Sequence, residues 1–378
     1  MIRGNIELSV VLPCRNEEKS LDFCIKQIKK VLLDNKINGE VIVSDSSSDG
    51  SPQIALRNRV KLVKHDLEGY GNAYLEGFKE ARGKYIFMAD SDGSYDFNEI
   101  PKFLKALKHG NDFVIGDRFK GEMRKGSMPW SHRYVGNPIL SGILRVFFSS
   151  NVHDVHCGMR AISREALDKL NLRTTGMEFA SEMVIKAIKK KLKIKQIPIN
   201  YYQRKGDSKL RPFSDAWKHM RFMLLYSPMF LFFIPGMLLF FLGLLSMIWF
   251  YFGNAHLFNL TFQFHPMFIS SLLTLIGYQL IVFAAFAKSY AINHLGEESE
   301  VMQKLYRHIT IEKASLIGIM LGLIGVIIYI FILIKWVKSG FGSLNEVKNS
   351  ILALTLIVLG IQTIFSSFML SILGIKEK

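Results

Sequence analysis

Residues 85–96 read YIFMADSDGSYD. The β-prone run Tyr85, Ile86, Phe87, Met88 ends on two carboxylates spaced i and i+2, Asp90 and Asp92. A short apolar run bounded by turn formers predicts a buried strand leaving its sheet. Asp and Gly are good turn residues in their own right, so a plain turn is one reading. The other is a carboxylate pair at the carboxyl end of a strand, placed to hold a divalent cation.

Outward from this stretch, strands and helices alternate. Residues 8–12, 41–43, 60–63 and 113–115 read as further strands, and residues 18–33, 71–81 and 100–108 as helices. This rhythm predicts an α/β domain with a mostly parallel, Rossmann-like sheet and helices on both faces. Ligands in such sheets sit outside the carboxyl ends of the strands, where Asp90 and Asp92 fall.

The chain has 378 residues, 49% of them hydrophobic and unevenly spread. Residues 228–252, 267–287, 314–334 and 351–374 form four runs of about the 20 residues that a bilayer core requires, so a four-helix transmembrane domain is expected there. Three domains follow: a soluble domain at 1–210, a juxtamembrane helix at 211–227 and a membrane domain at 228–378. The juxtamembrane stretch, RPFSDAWKHMRFMLLYS, mixes Trp, Phe and Met with Lys, Arg and His, which suits a helix in the membrane interface as well as an ordinary connector.

Net charge is +16; after Ser227 Lys and Arg number 9 against 6 Asp and Glu, so +13 lies in the first part. A basic domain joined to apolar spans suits an anionic membrane surface or phosphate-bearing ligands. No nucleic-acid-binding module is recognisable, so no nucleic-acid partner is expected. The loop at 253–266 carries no Lys or Arg and that at 288–313 carries four, which predicts a cytoplasmic soluble domain with both termini on the same side. Three Lys at 335–350 oppose this mildly. Cys14, Cys24 and Cys157 have neither metal-site spacing nor an even disulfide count, as expected of reduced thiols. The amino-terminal apolar run is too short for a signal peptide and reads as the first strand.

Two more strand ends carry acidic residues. EVIVSDSSSDGS, residues 40–51, places Asp45 and Asp49 in a Ser/Gly turn, where a carboxylate could accept hydrogen bonds from a base or ribose. VVLPCRNEE, residues 10–18, brings Glu17 to the same crevice. DSDGSYD is not an EF-hand loop, because that loop needs Gly at its sixth position and Gly93 is fourth. A Walker loop and a GxGxxG after the first strand are absent.

With these motifs in order, residues 6–219 resemble the inverting family 2 glycosyltransferases, and within them the polyprenyl-phosphate (dolichyl-phosphate-type) sugar synthases. VVLPCRNEE is similar to the family's nucleotide-binding start, and SDSSSDGS to its DDGSTDGT, with Ser44 in place of the first Asp and Asp45 in place of the second. EGYGNAYLEGFKEARGKYIFMADSD resembles its glycine loop, helix and DxD strand. GDRFKGE matches a GSR stretch through Arg118, and HRYVGN an RxxGN through Arg133 and Asn137. DVHCGMRA, MEFASEM and YYQRKGDSKLR resemble its later elements. Many members follow DxD with Leu-Gln, where the Gln can ligate metal. Here Gly93-Ser94 follow, which leaves the third protein ligand open.

The resemblance implies a GT-A fold and transfer of a hexose from a nucleotide sugar, UDP- or GDP-linked, to a polyprenyl or dolichyl phosphate. Asp90 and Asp92 would hold Mg²⁺ or Mn²⁺, a hard cation that bridges carboxylates and a diphosphate. Pro13, Arg15, Glu17, Asp45, Gly71, Asp90, Arg204 and Lys209 would bind the nucleotide sugar, with Arg204 and Lys209 clamping the leaving phosphates. Arg118, Arg133 and Asn137 would hold the acceptor phosphate, and Asp154 would orient the acceptor or line the catalytic centre beside Arg118 and Asp92. An acceptor phosphate is largely ionised at neutral pH, so a strong general base is not required. His153 and His156 are metal ligands by type, but lone His near a Cys more often serve structure. A processive polysaccharide synthase is the nearest alternative, yet its QxxRW element is absent. The other alternative is a non-enzymatic nucleotide-binding transport or scaffold protein; the spans contain almost no interior charges, which speaks against an ion or substrate path. A homo-oligomer is compatible with the chain. The sugar, the nucleotide and the lipid length stay open.

Overall fold

The computed structural model describes residues 6–206, 212–253, 255–257, 260–262, 264–294 and 311–374. The chain divides into two compact units, Met1–Met223 and Leu224–Lys378. The boundary lies inside a helix, Pro212–Leu225, where the sequence places a separate juxtamembrane element.

The first unit holds seven strands: β1 Leu8–Cys14, β2 Gly39–Asp45, β3 Lys61–Lys64, β4 Tyr85–Met88, β5 Phe113–Asp117, β6 Arg160–Ser163 and β7 Ile194–Pro198. Between and after them run helices α1 Glu18–Asp34, α2 Ser51–Arg57, α3 Tyr70–Glu80, α4 Ile100–Lys108, α5 Asn137–Phe148, α6 Arg164–Leu170, α7 Phe179–Lys189 and α8 Pro212–Leu225. The sheet order is β3-β2-β1-β4-β6-β5-β7. Pairings are parallel except at β6, which runs against both β4 and β5.

The central strands are buried on both faces, and Val10, Leu12, Ile42, Ile86 and Phe87 have no exposed surface. Such strands read as continuous apolar runs rather than alternating ones. The helices that cover them are amphipathic: α4 buries Ile100, Phe103, Leu104 and Leu107 and turns Lys102, Lys105 and Lys108 outward.

This topology positions the site. β1, β2, β4, β5 and β7 point the same way, so their carboxyl ends share one edge. The reversed β6 begins on that edge, with Arg160 opposite Met88 and Ile115. Cys14 pairs with Asp45 there.

Among the described residues the second unit contains four helices long and apolar enough to cross a membrane: Met229–Phe252, His265–Asn293, Ile311–Lys338 and Val347–Gly374. They extend two to six residues beyond five of the eight bounds expected from hydropathy, and the first begins one residue later than expected. The first and second are joined through a short antiparallel hairpin, Ala255–Leu257 with Leu260–Phe262. Backbones approach closely: a Cβ on Gly277 would lie 2.2 Å from the Phe240 nitrogen, and one on Gly360 would lie 2.5 Å from the Gly318 carbonyl oxygen. Ser271 bonds Thr355 at 2.6 Å and Tyr278 bonds Thr363 at 2.6 Å, tying the second helix to the fourth.

Candidate active site at the carboxyl edge of the sheet

Asp92 follows β4 by four residues and is held by its own turn. The Ser94 backbone N–H and hydroxyl both donate to its Oδ1, at 2.9 and 2.5 Å. Gly93 takes φ +80°, a left-handed conformation that suits glycine. Ser94, which stands where many relatives of the motif carry Gln, therefore orients Asp92. Its other oxygen, Oδ2, lies 3.4 Å from Arg204 Nη2, which also stands 3.9 Å from Glu17 Oε1. Arg204 reaches this point because residues 201–205 run along the loop: Tyr202 N–H donates to the Ser94 carbonyl and Lys205 N–H to the Asp92 carbonyl, both at 2.9 Å. The Arg204 Nε is buried and meets no partner among the described residues.

Asp90 accepts one hydrogen bond among the described residues, from the Tyr70 hydroxyl to Oδ1 at 3.0 Å. Burial, then the charge of Asp92, pushes its carboxyl up to about 7. A carboxylate whose proton affinity is raised by a neighbouring carboxylate favours a cation beside the pair. Among the described residues no group of three His, Cys, Asp or Glu is arranged to hold a metal. Mg²⁺ does not need such a cage, since it is commonly held by one or two carboxylates plus substrate phosphates. The Asp90–Asp92 pair fits that mode.

Asp45 closes β2 with no exposed surface, and among the described residues neither of its carboxylate oxygens has a hydrogen-bond partner. The neighbouring Cys14 thiol is pushed up to about 12 by burial, with the Asp45 charge adding to it. Asp49, four residues on, accepts from the Glu18 and Ser51 N–H groups and serves the turn. Pro13 lends its carbonyl to the Ser91 hydroxyl at 2.6 Å, and Arg15 pairs with Glu68 at 2.7 Å. Glu17 is nearly buried, and its N–H donates to Ser51 Oγ.

Arg118 and Asp154 form a buried bidentate pair. Nε and Nη2 donate to the two carboxylate oxygens at 2.7 and 2.8 Å, and the Arg118 backbone N–H adds a third bond at 3.1 Å. The guanidinium also stands 5.2 Å from the centre of the Tyr201 ring. Arg133 lies in a π-helical turn, His132–Gly136, over the Tyr134 ring, and Asn137 opens α5 with its amide on Met128 Sδ. Lys209 lies outside the described residues.

Gly71 is accounted for by packing: a Cβ there would come within 2.2 Å of the Thr174 carbonyl oxygen, so its lack of a side chain needs no ligand. His156 meets Ser181 Oγ at 3.3 Å and lies 4.4 Å from the His219 ring, itself 2.8 Å from the same hydroxyl. Burial first, then His219, hold His156 well below the usual histidine range, as suits a neutral structural group.

Sequence reasoning assigned no role to Tyr70, Glu182 or Arg160. Arg160 is buried, and its three nitrogens donate to the carbonyls of Cys157, Ala180 and Val155. Glu182 accepts from the N–H groups of Arg173 and Thr174 and from the Thr174 hydroxyl, and pairs with Lys186. That clamp places the loop whose Thr175 and Gly176 carbonyls accept the first N–H groups of α3, those of Asn72 and Gly71.

Sequence comparison supplies a second line of observation. The model described as "Glycosyl transferase family 2" matches residues 9–170, and that described as "Glycosyltransferase family 2 C-terminal transmembrane region" matches residues 285–374. The low-salt glycan biosynthesis hexosyltransferase Agl6 of Haloferax volcanii is 40% identical over 368 residues, covering 97% of this chain and 89% of the relative. A dolichyl-phosphate hexose transferase of the same organism is 30% identical over 213 residues, 56% of this chain and 89% of the relative. A dolichol-phosphate mannosyltransferase of Pyrococcus furiosus is 26% identical over 214 residues, 54% of this chain and 60% of the relative.

Proposed function

The chain belongs to glycosyltransferase family 2, and from that premise we propose that it transfers a hexose from a nucleotide sugar to a polyprenyl or dolichyl phosphate at the cytoplasmic face of a membrane. The observation that carries this reading is the convergence of Asp90, Asp92 and Arg204 at the carboxyl edge, with a buried guanidinium Nε that meets no acceptor among the described residues. A carboxylate pair beside an incompletely satisfied cation suits a diphosphate bridged by a metal ion.

Asp90 and Asp92 would hold Mg²⁺ or Mn²⁺, whose charge would offset that of the departing nucleoside diphosphate. Arg204, with Lys209, clamps the same phosphates. Asp45, Glu17, Pro13 and Arg15 line the nucleotide end, where Asp45 offers two unpaired acceptors to base or ribose donors. Arg133 and Asn137 receive the acceptor phosphate, joined by Arg118, which Asp154 holds in place. One acceptor oxygen attacks the anomeric carbon as the carbon–oxygen bond to the diphosphate breaks. No proton has to move, because the nucleophile is already ionised, and the anomeric configuration inverts.

The four apolar helices anchor the enzyme beside its lipid substrate, and α8 lies along the membrane interface. The reading is tested by incubating the full-length protein in lipid with labelled nucleotide sugars and polyprenyl phosphate. Transfer of label to lipid, abolished by EDTA and restored by Mg²⁺ or Mn²⁺, is expected. In Asp92→Asn it should fall by orders of magnitude with the fold retained. Full activity of that variant, or indifference to chelator, would overturn it.

A further inference from the structure

Tyr70 sits at the first position of α3, in the glycine-rich stretch EGYGNA, and nothing in the transfer chemistry above uses it. We propose that Tyr70 is a positioning residue that fixes the Asp90 carboxylate for cation binding. This inference rests on the metal reading of Asp90 and Asp92.

The cradle around Asp90 is built from both sides. The Tyr70 hydroxyl donates to Oδ1 at 3.0 Å. On the opposite side stands Gly158, where a Cβ would fall 2.7 Å from Oδ2, so a side chain there would displace the carboxylate. Gly158 is itself held, its N–H donating to the Tyr95 hydroxyl at 2.8 Å. Tyr70 in turn has little freedom. Its ring packs edge-on against Tyr74 at 5.0 Å and against Phe179 at 6.3 Å. The backbone N–H groups of the next two residues are anchored on Gly176 and Thr175 by the loop that Glu182 clamps. The hydroxyl therefore sets which way Asp90 faces, and it is the one donor Asp90 meets among the described residues. A hydrogen bond from outside the ligand shell that orients a ligating carboxylate is worth about 10–100-fold in metal affinity.

The test uses full-length protein in lipid nanodiscs, with Mn²⁺ alone titrated against it and free Mn²⁺ read by electron paramagnetic resonance. Tyr70→Phe keeps the ring and removes only the hydroxyl. Its Mn²⁺ dissociation constant should rise about 10–100-fold, while its unfolding temperature stays near that of the parent. Excess Mn²⁺ should restore most of the turnover. Phe179→Leu, which loosens the same ring cluster without touching Asp90, should lower stability and leave Mn²⁺ affinity within about twofold. Parent-like Mn²⁺ affinity in Tyr70→Phe would overturn the proposal, as would an equal affinity loss in Phe179→Leu. A parent protein that binds no Mn²⁺ would instead remove the metal reading, and this inference with it.

Discussion

Asp45 and Asp49 are the same residue type in the same turn, and only their partners separate them. Asp49 caps two N–H groups, whereas Asp45 is buried with both oxygens unpaired among the described residues. A buried unsatisfied group costs about 1–3 kcal/mol, more when charged. Asp45→Asn should therefore raise the unfolding temperature of the ligand-free protein and weaken nucleotide-sugar binding, measured by thermal shift and calorimetry; a loss of stability with unchanged binding would refute its role as acceptor for the nucleotide. Asp90 gives a pH signature. With its carboxyl raised to about 7, the proton competes with the cation below that pH and not above it. Apparent Mn²⁺ affinity should fall by about tenfold per unit as pH drops below 7 and level off above, in a titration across pH; a flat profile would remove Asp90 from the site. At the acceptor end, Arg133 is the cleaner probe, because Arg118→Ala would strand Asp154 as a buried unpaired charge. Arg133→Ala should raise the KM for lipid phosphate about 10–100-fold, matching roughly 1.5–3 kcal/mol for a charge-assisted bond, with donor KM unchanged. An unchanged lipid KM would exclude the contact.

At the scale of elements, the clamp on the amino end of α3 is the feature most open to test. Glu182 is fully buried and gathers three donors besides Lys186. Glu182→Ala strands those donors, costing about 3 kcal/mol, and should lower the unfolding temperature by roughly 5–10 °C. A parent-like melt would show that the loop is held otherwise. The same elements show what a sequence reveals. β1, β2 and β4 are legible because strands buried on both faces are uninterrupted apolar runs ending on turn residues. β6, of sequence RAIS, and β7, of sequence IKQIP, are short and carry polar groups. Arg160 is tolerated in β6 because three carbonyls satisfy it, those of Val155 and Cys157 just before the strand and that of Ala180, twenty residues on in α7. Asp90, Asp92 and Asp45 could be found because strand ends of an α/β sheet are where ligands bind. Tyr70 could not, since an aromatic inside a glycine-rich turn has no periodicity. Its role appears only when α3 and the β4 end are placed together.

For the whole molecule, the soluble and apolar units carry one expectation each. The proposed orientation puts the 253–266 loop outside, so a cysteine introduced there should react with an impermeant reagent on intact cells. Labelling only after lysis would invert the topology. The central claim concerns what leaves the enzyme, and the most direct measurement is the structure of the lipid-linked product. Full-length protein, supplied with polyprenyl phosphate and the nucleotide sugar it accepts, should yield a single sugar on a lipid monophosphate, labile to mild acid and of inverted anomeric configuration by NMR. A growing glycan, a retained configuration, or label confined to water-soluble sugar would contradict it.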